Sequence, residues 1–197
     1  MLFRSLIAER SLHHPPHIYL DDTWHIVTGS IYQHNRLLAP EGYKDLVRDH
    51  LKSFALKFRI EIKAWVILDD HYHLLLKTKQ GADFPHFIAQ WHGRTAFDLN
   101  TRDSKRGRRV WYSYWDTCIR DEDDYWRRFN YIHHNPVKHE YVLSMEMWPY
   151  SSYNFYLEHK GADWMVDVWR QYPVIDFTDP RDEQHANAGS RGLQPEP

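Results

Sequence analysis

The spacing of apolar and polar residues changes several times along the chain, and each change marks an element. Trp24–Ile31 reads as a first strand, with apolar and β-branched residues but no helical spacing. Between Glu41 and Phe58, the positions Val47, Leu51, Phe54, Ala55 and Phe58 recur every three or four residues and predict an amphipathic helix. Ile60–Leu68 and His71–Lys79 are apolar runs separated only by Asp69-Asp70, which predicts two strands and a short turn. Helical spacing returns over Phe84–Asn100 through Phe87, Ile88, Trp91 and Ala96, and the aromatic segment Val110–Ile119 predicts another strand. Glu122–His134 reads as a further helix. Its acidic start suits the positive end of the helix dipole, and Asn135-Pro136 marks its end. On that helix Tyr125, Phe129 and Ile132 take the core side, while Tyr131 and Asn135, four residues apart, share another face.

This order (strand, helix, two strands, helix, strand) predicts an α+β fold, with helices packed on one face of an antiparallel sheet. Residues 1–177 are expected to form one domain, with 1–18 an irregular arm and 137–177 wrapped around the core. The polar segment 178–197 is expected to be a disordered tail.

Composition narrows the class. A hydrophobic content of 42%, with 9 Trp and 13 Tyr among 197 residues, supplies a substantial core. No apolar run is long enough to span a membrane and no signal-peptide pattern opens the chain. Cys118 stands alone, so no intrachain disulfide forms, which fits a reducing cytoplasm. The net charge of −2 gives no general attraction for nucleic acid, but the charge is uneven. Thr101–Val110 holds Arg102, Lys105, Arg106, Arg108 and Arg109 against Asp103 alone, a local excess of +4. Lys77 and Lys79 end a strand, and Arg127 and Arg128 lie one helical turn before Tyr131. Each cluster can grip a phosphate backbone, and each also fits an ordinary solvated surface.

The chemistry concentrates at His71-Tyr72-His73. Alternation along a strand points both imidazoles to one face, a start for a metal site, although an HxH pair also serves simple packing. Tyr131 follows His71 by 60 residues. A phenol and an amide oxygen then lie on one helical face.

His71-Tyr72-His73 followed by Tyr131-Ile132-His133-His134-Asn135-Pro136-Val137-Lys138 resembles the single-tyrosine HUH transposases, most closely their REP-associated tyrosine transposase branch. Trp115-Asp116, Arg120–Asp124, Gly93–Ala96 and Trp148–Ser152 support the likeness, which covers roughly residues 20–155. The resemblance implies a ferredoxin-like sheet with the tyrosine on an added helix. It implies a metal-dependent DNA transposase that nicks and rejoins single-stranded DNA at REP-like hairpins through a covalent 5′-phosphotyrosine. Tyr131 is the implied nucleophile. His71, His73 and Asn135 are the implied ligands of Mg²⁺ or Mn²⁺. Arg94 joins the basic residues above as a candidate DNA contact. The protein is expected to act as a monomer or homodimer.

The family often carries Pro-Asn before the HxH pair, where this chain has Asp69-Asp70. Asp70 is either an added carboxylate at the metal or a turn residue, and His134 is a candidate for proton transfer. Tyr125 is a second nucleophile on chemistry alone. Two other readings stay open: a hairpin-DNA-binding protein with weak or lost catalysis, and a small zinc hydrolase using His71 and His73 with a third ligand such as Asp70 or His134.

Overall fold

The computed structural model describes residues 19–174; the expected arm at 1–18 and tail at 178–197 lie outside the described residues. The elements run β1 (Thr23–Ile31), α1 (Tyr43–Phe58), β2 (Glu61–Ile67), β3 (His71–Thr78), α2 (Asp83–Arg102), β4 (Trp111–Cys118), α3 (Glu122–Lys138), α4 (Tyr153–Lys160) and α5 (Ala162–Gln171). The strands form one antiparallel sheet in the order β2-β3-β1-β4, so the HxH strand is interior.

Strict alternation gives the sheet two different faces. On one, Val27, Ile31, Tyr72, Leu74 and Leu76 pack against α1 through Val47 and Leu51 and against α2 through Phe84, Phe87, Ile88 and Trp91. On the other, Ile26, Ala64, Val66 and Leu75 meet Phe129 and Ile132 of α3. Tyr153 and Tyr156 of α4 and Met165 and Val168 of α5 close that second core. The two-helix layer thus covers one face, and the added tyrosine helix with its C-terminal neighbours covers the other. Gly29 is needed where it stands. It pairs with Tyr72 across the β1–β3 ladder, and a Cβ there would come within 2.4 Å of the Tyr72 ring. That close approach lets the Tyr72 hydroxyl meet His92 Nε2 at 2.9 Å.

Two local features differ from the simple pattern. Helix α3 continues through Pro136 to Lys138 rather than stopping before the proline. Inside a helix proline removes one N–H bond and its ring crowds the carbonyl four residues back. Here the last turn is still closed by the His139 N–H donating to the Asn135 carbonyl at 3.0 Å, and buried Pro136 accepts from the Tyr141 N–H at 2.9 Å. Packing therefore outweighs the local preference. In β4 the register slips opposite Gly29–Ile31, so Tyr112 and Ser113 of β4 face Ser30 alone on β1. Trp111 and Tyr114 consequently both join the α1/α2 core, and Tyr112 does not share the face of Tyr114.

Candidate active site

β3 and α3 together place the chemistry. His71 and His73 point to the α3 side, with ring centres 5.1 Å apart. Both are buried. Each is anchored through Nδ1. For His71 the partner is Asp70 Oδ1 at 2.7 Å, and for His73 it is the Thr28 hydroxyl at 2.8 Å. With Nδ1 so engaged, each ring offers its Nε2 elsewhere. His71 Nε2 lies 3.2 Å from Asn135 Oδ1. If the His71 Nδ1–H donates to the Asp70 carboxylate, two lone-pair atoms face one another at that contact, as they do around a cation. Asn135 is fully buried, and its Nδ2 has no protein hydrogen-bond partner.

Tyr131 lies one turn before Asn135 on α3, and its ring centre is 5.2 Å from that of His73. Tyr131 is only 3% exposed. Lys138 Nζ lies 5.1 Å from the Tyr131 ring centre, a cation–π contact. Local sequence explains why α3 starts where it does. The Asp121 side chain accepts from the Asp124 N–H at 2.8 Å, and three acidic residues fill the first turn.

The turn before His71 is firmly held. Asp69 binds Arg36 at 2.6 Å and the buried Lys44 at 2.7 Å. Asp70 is both a turn residue and the partner of His71. His133 is buried and meets the Ser152 hydroxyl at 2.7 Å; burial pushes its imidazole down to about 3. His134 rests on Trp169, with ring centres 5.2 Å apart, and burial followed by the Lys138 charge lowers its pKa. Tyr125, the other phenol of this helix, packs on Trp24 at 5.2 Å, and burial pushes its pKa strongly upward, the wrong direction for a nucleophile.

The candidate DNA contacts separate into groups. Arg108 and Arg109 stand at the sheet end that carries Asp70, because Tyr32 N–H donates to the Val110 carbonyl and Ile31 N–H to the Asp70 carbonyl, both at 2.7 Å. Lys77 pairs with Asp22 at 2.9 Å near the opposite end of β3, about 20 Å from His71 by strand rise. Lys79 is exposed just beyond it. Arg94 is matched by Asp98 at 2.9 Å, Arg127 by Asp123 at 3.3 Å and Arg128 by Asp124 at 3.1 Å. Lys105 and Arg106 are exposed in the α2–β4 loop.

Comparison with known proteins now adds to the geometry. The profile of the IS200-like transposase family matches residues 21–135, from the start of β1 to Asn135. The chain belongs to this family. It is 31% identical over 111 residues to the REP-associated tyrosine transposase of Escherichia coli (strain K12), a stretch covering 55% of this chain and 64% of that protein. A Haemophilus influenzae protein provisionally given the same name is 30% identical over 129 residues, covering 56% of this chain and 73% of its own length. A solved REP-associated tyrosine transposase bound to a REP hairpin shares the fold, with a TM-score of 0.67 at 21% identity over 84% of this chain and 94% of that one.

For an IS200-like transposase, the structure adds residues that the sequence reading missed. Thr28 anchors His73 and stands directly opposite it on β1. Lys138 lies over the tyrosine, and the His139 ring centre is 5.1 Å from that of His71. The signal for Thr28 is a register that no local pattern carries. Lys138 and His139 follow Asn135 in sequence and become visible only once α3 is seen to pass through Pro136. No helix among the described residues is long and apolar enough to cross a membrane.

Proposed function

We propose that this chain is a metal-dependent, single-strand DNA nicking and strand-transfer enzyme that acts on REP-like hairpins through Tyr131. The observation that carries this reading is the convergence of His71 Nε2 and Asn135 Oδ1 at 3.2 Å, one helical turn from Tyr131. The donor set fits a divalent cation. Two imidazoles and an amide oxygen are a borderline set that suits Mn²⁺ and accommodates Mg²⁺, and the Asp70 and Thr28 anchors fix the rings as metal-binding histidines require. A cation bound by His71, His73 and Asn135 would supply charge neutralisation at the scissile phosphate.

The side chains do the rest. The Tyr131 phenol, beside Lys138, gives its proton to water as its oxygen bonds to phosphorus. The bond from phosphorus to the 3′ oxygen breaks and that oxygen takes a proton from water, leaving a 5′-phosphotyrosine and a 3′-hydroxyl. A later 3′-hydroxyl reverses the step and joins a new strand. In this reading the enzyme works in the cytoplasm with the DNA, as a monomer or a homodimer. The zinc-hydrolase reading is weaker, since no three His, Cys, Asp or Glu side chains among the described residues converge as a metal-binding group.

The test uses a labelled single-stranded hairpin from DNA flanking the gene, incubated with protein and Mn²⁺ or Mg²⁺ and resolved under denaturing conditions. Label should remain on the wild-type protein and be lost with Tyr131→Phe or with chelator. Tight hairpin binding without retained label would favour a binding protein with lost catalysis.

A further inference from the structure

The sheet end that carries Asp70 and His71 also carries an open cavity of about 590 Å³, lined in part by Tyr32, Gln33, Arg36, Arg108 and Arg109. Its wall is bonded to the candidate site. Ile31 N–H donates to the Asp70 carbonyl at 2.7 Å, and Leu38 N–H donates to the Asp69 carbonyl at 2.8 Å. Between them the chain makes a tight turn in which Gln33 and His34 hold left-handed φ angles of 58° and 52°. Non-glycine residues adopt that backbone only where the surroundings impose it, and such strain gathers at functional sites.

The cavity's charges are unequal. Arg36 is matched by Asp69 and Arg108 by Asp103, each at 2.6 Å. Arg109 is exposed, and among the described residues no carboxylate pairs with it. Its guanidinium instead lies 4.8 Å from the Tyr32 ring centre and 5.1 Å from that of Tyr112, and its Nε donates to the Trp111 carbonyl at 3.3 Å. Tyr112 is 51% exposed, the one strongly exposed ring among the aromatic residues of β4. A flat exposed ring beside an arginine unmatched by acid offers a stacking surface and a phosphate contact together.

We infer that this cavity, together with the Tyr112 ring beside its Arg109 wall, is a subsite for single-stranded DNA, in which the phosphate meets Arg109 and the adjoining unpaired base stacks on Tyr112. The inference rests on the single-strand reading above and adds where the unpaired strand lies: beside the turn that presents Asp70 and His71. Paired bases already have both faces stacked, so ring contact of this kind selects unpaired ones.

The test is carried out in the Tyr131→Phe background, so that no cleavage intervenes. The probe is a twelve-residue oligothymidylate carrying one 2-aminopurine, with binding followed by fluorescence and anisotropy. Tyr112→Ala and Arg109→Ala should each weaken binding about tenfold, the low end for loss of one stacked base. Tyr112→Phe should restore binding. Leu143→Ala, an exposed residue outside this cavity, should bind as the parent does. Binding unchanged in both alanine variants, or no binding of the probe by the parent, would overturn the subsite. Covalent capture by the protein with Tyr131 intact tests the nicking reading separately. Capture with unaffected binding in the cavity variants removes only the subsite, and weakened binding without capture removes only the nicking reading.

Discussion

The two faces of β3 come from the same eight residues and have opposite characters. Tyr72, Leu74 and Leu76 are fully buried in the apolar core under α1 and α2. His71 and His73 are buried as well, but among Asp70, Thr28 and Asn135 under α3. Burying polar groups is costly unless they are satisfied, so a fold selected for stability alone would have filled both faces with leucine. The contrast teaches that the face under α1 and α2 is apolar throughout, while the face under α3 combines an apolar cluster around Leu75 with a buried, hydrogen-bonded polar set.

Substitution on either face should break the comparison in a different way. Leu74→Ala should lower stability by about 2–5 kcal/mol, read from the urea midpoint, while the remaining folded protein binds DNA as before. A loss of DNA affinity in the folded fraction would show that the apolar face is not merely structural. Thr28→Val and Asp70→Asn should do the reverse. Metal affinity or cleavage should fall about 10–100-fold at a stability cost of only about 1–3 kcal/mol, because Thr28→Val removes the hydroxyl that anchors His73 and Asp70→Asn exchanges the carboxylate on His71 for a weaker amide acceptor. Equal metal titrations for variant and wild type would discount the anchors.

Acid should weaken both faces together. His92, on α2, and His133, on α3, are each pushed down to about 3 by burial, so they are neutral in the folded protein. Unfolded, each binds a proton near the usual value of about 6.5. Between those values the unfolded chain holds more protons, so stability is full above about pH 6.5 and falls as pH drops toward 3. The slope for His133 is at most about 1.4 kcal/mol per pH unit, and His133→Gln should flatten it in pH-dependent urea unfolding. An unchanged slope would mean that His133 is protonated in the fold. Smallest of all, Arg127→Gln breaks an exposed helical pair with Asp123 and should change stability by less than about 0.5 kcal/mol. If Arg127 touches phosphate, the salt dependence of DNA binding should become shallower by about one ion; an unchanged slope excludes that contact.

Much of this contrast was legible in the sequence, because period-two alternation decides which side of a strand each residue takes. The shared face of His71 and His73 follows from that rule alone, and Phe129 and Ile132 follow from helical spacing. Helical spacing put Tyr131 and Asn135 on one face, but their roles beside the two histidines entered through family resemblance, since nothing local says that α3 crosses β3. Thr28 was invisible because cross-strand register is a tertiary property. Pro136 misled the helix boundary because packing outweighed its local preference, and the slip in β4 moved Tyr114 away from the face of Tyr112. Neutralisation of Arg127 and Arg128 by Asp123 and Asp124 was readable from their spacing of four, but that spacing does not say whether DNA displaces the acids.

The most direct test of the account is to identify the residue that carries the DNA. Protein captured on a single-stranded hairpin in Mn²⁺ would be digested with nuclease and trypsin and examined by mass spectrometry. Cleavage after Arg128 and Lys138 releases Phe129–Lys138, a peptide whose single tyrosine is Tyr131. A phosphonucleotide addition on that peptide, fragmenting to Tyr131 and absent when chelator is present, is the predicted result. An addition on the peptide containing Tyr125, or one that forms equally well in chelator, would contradict it.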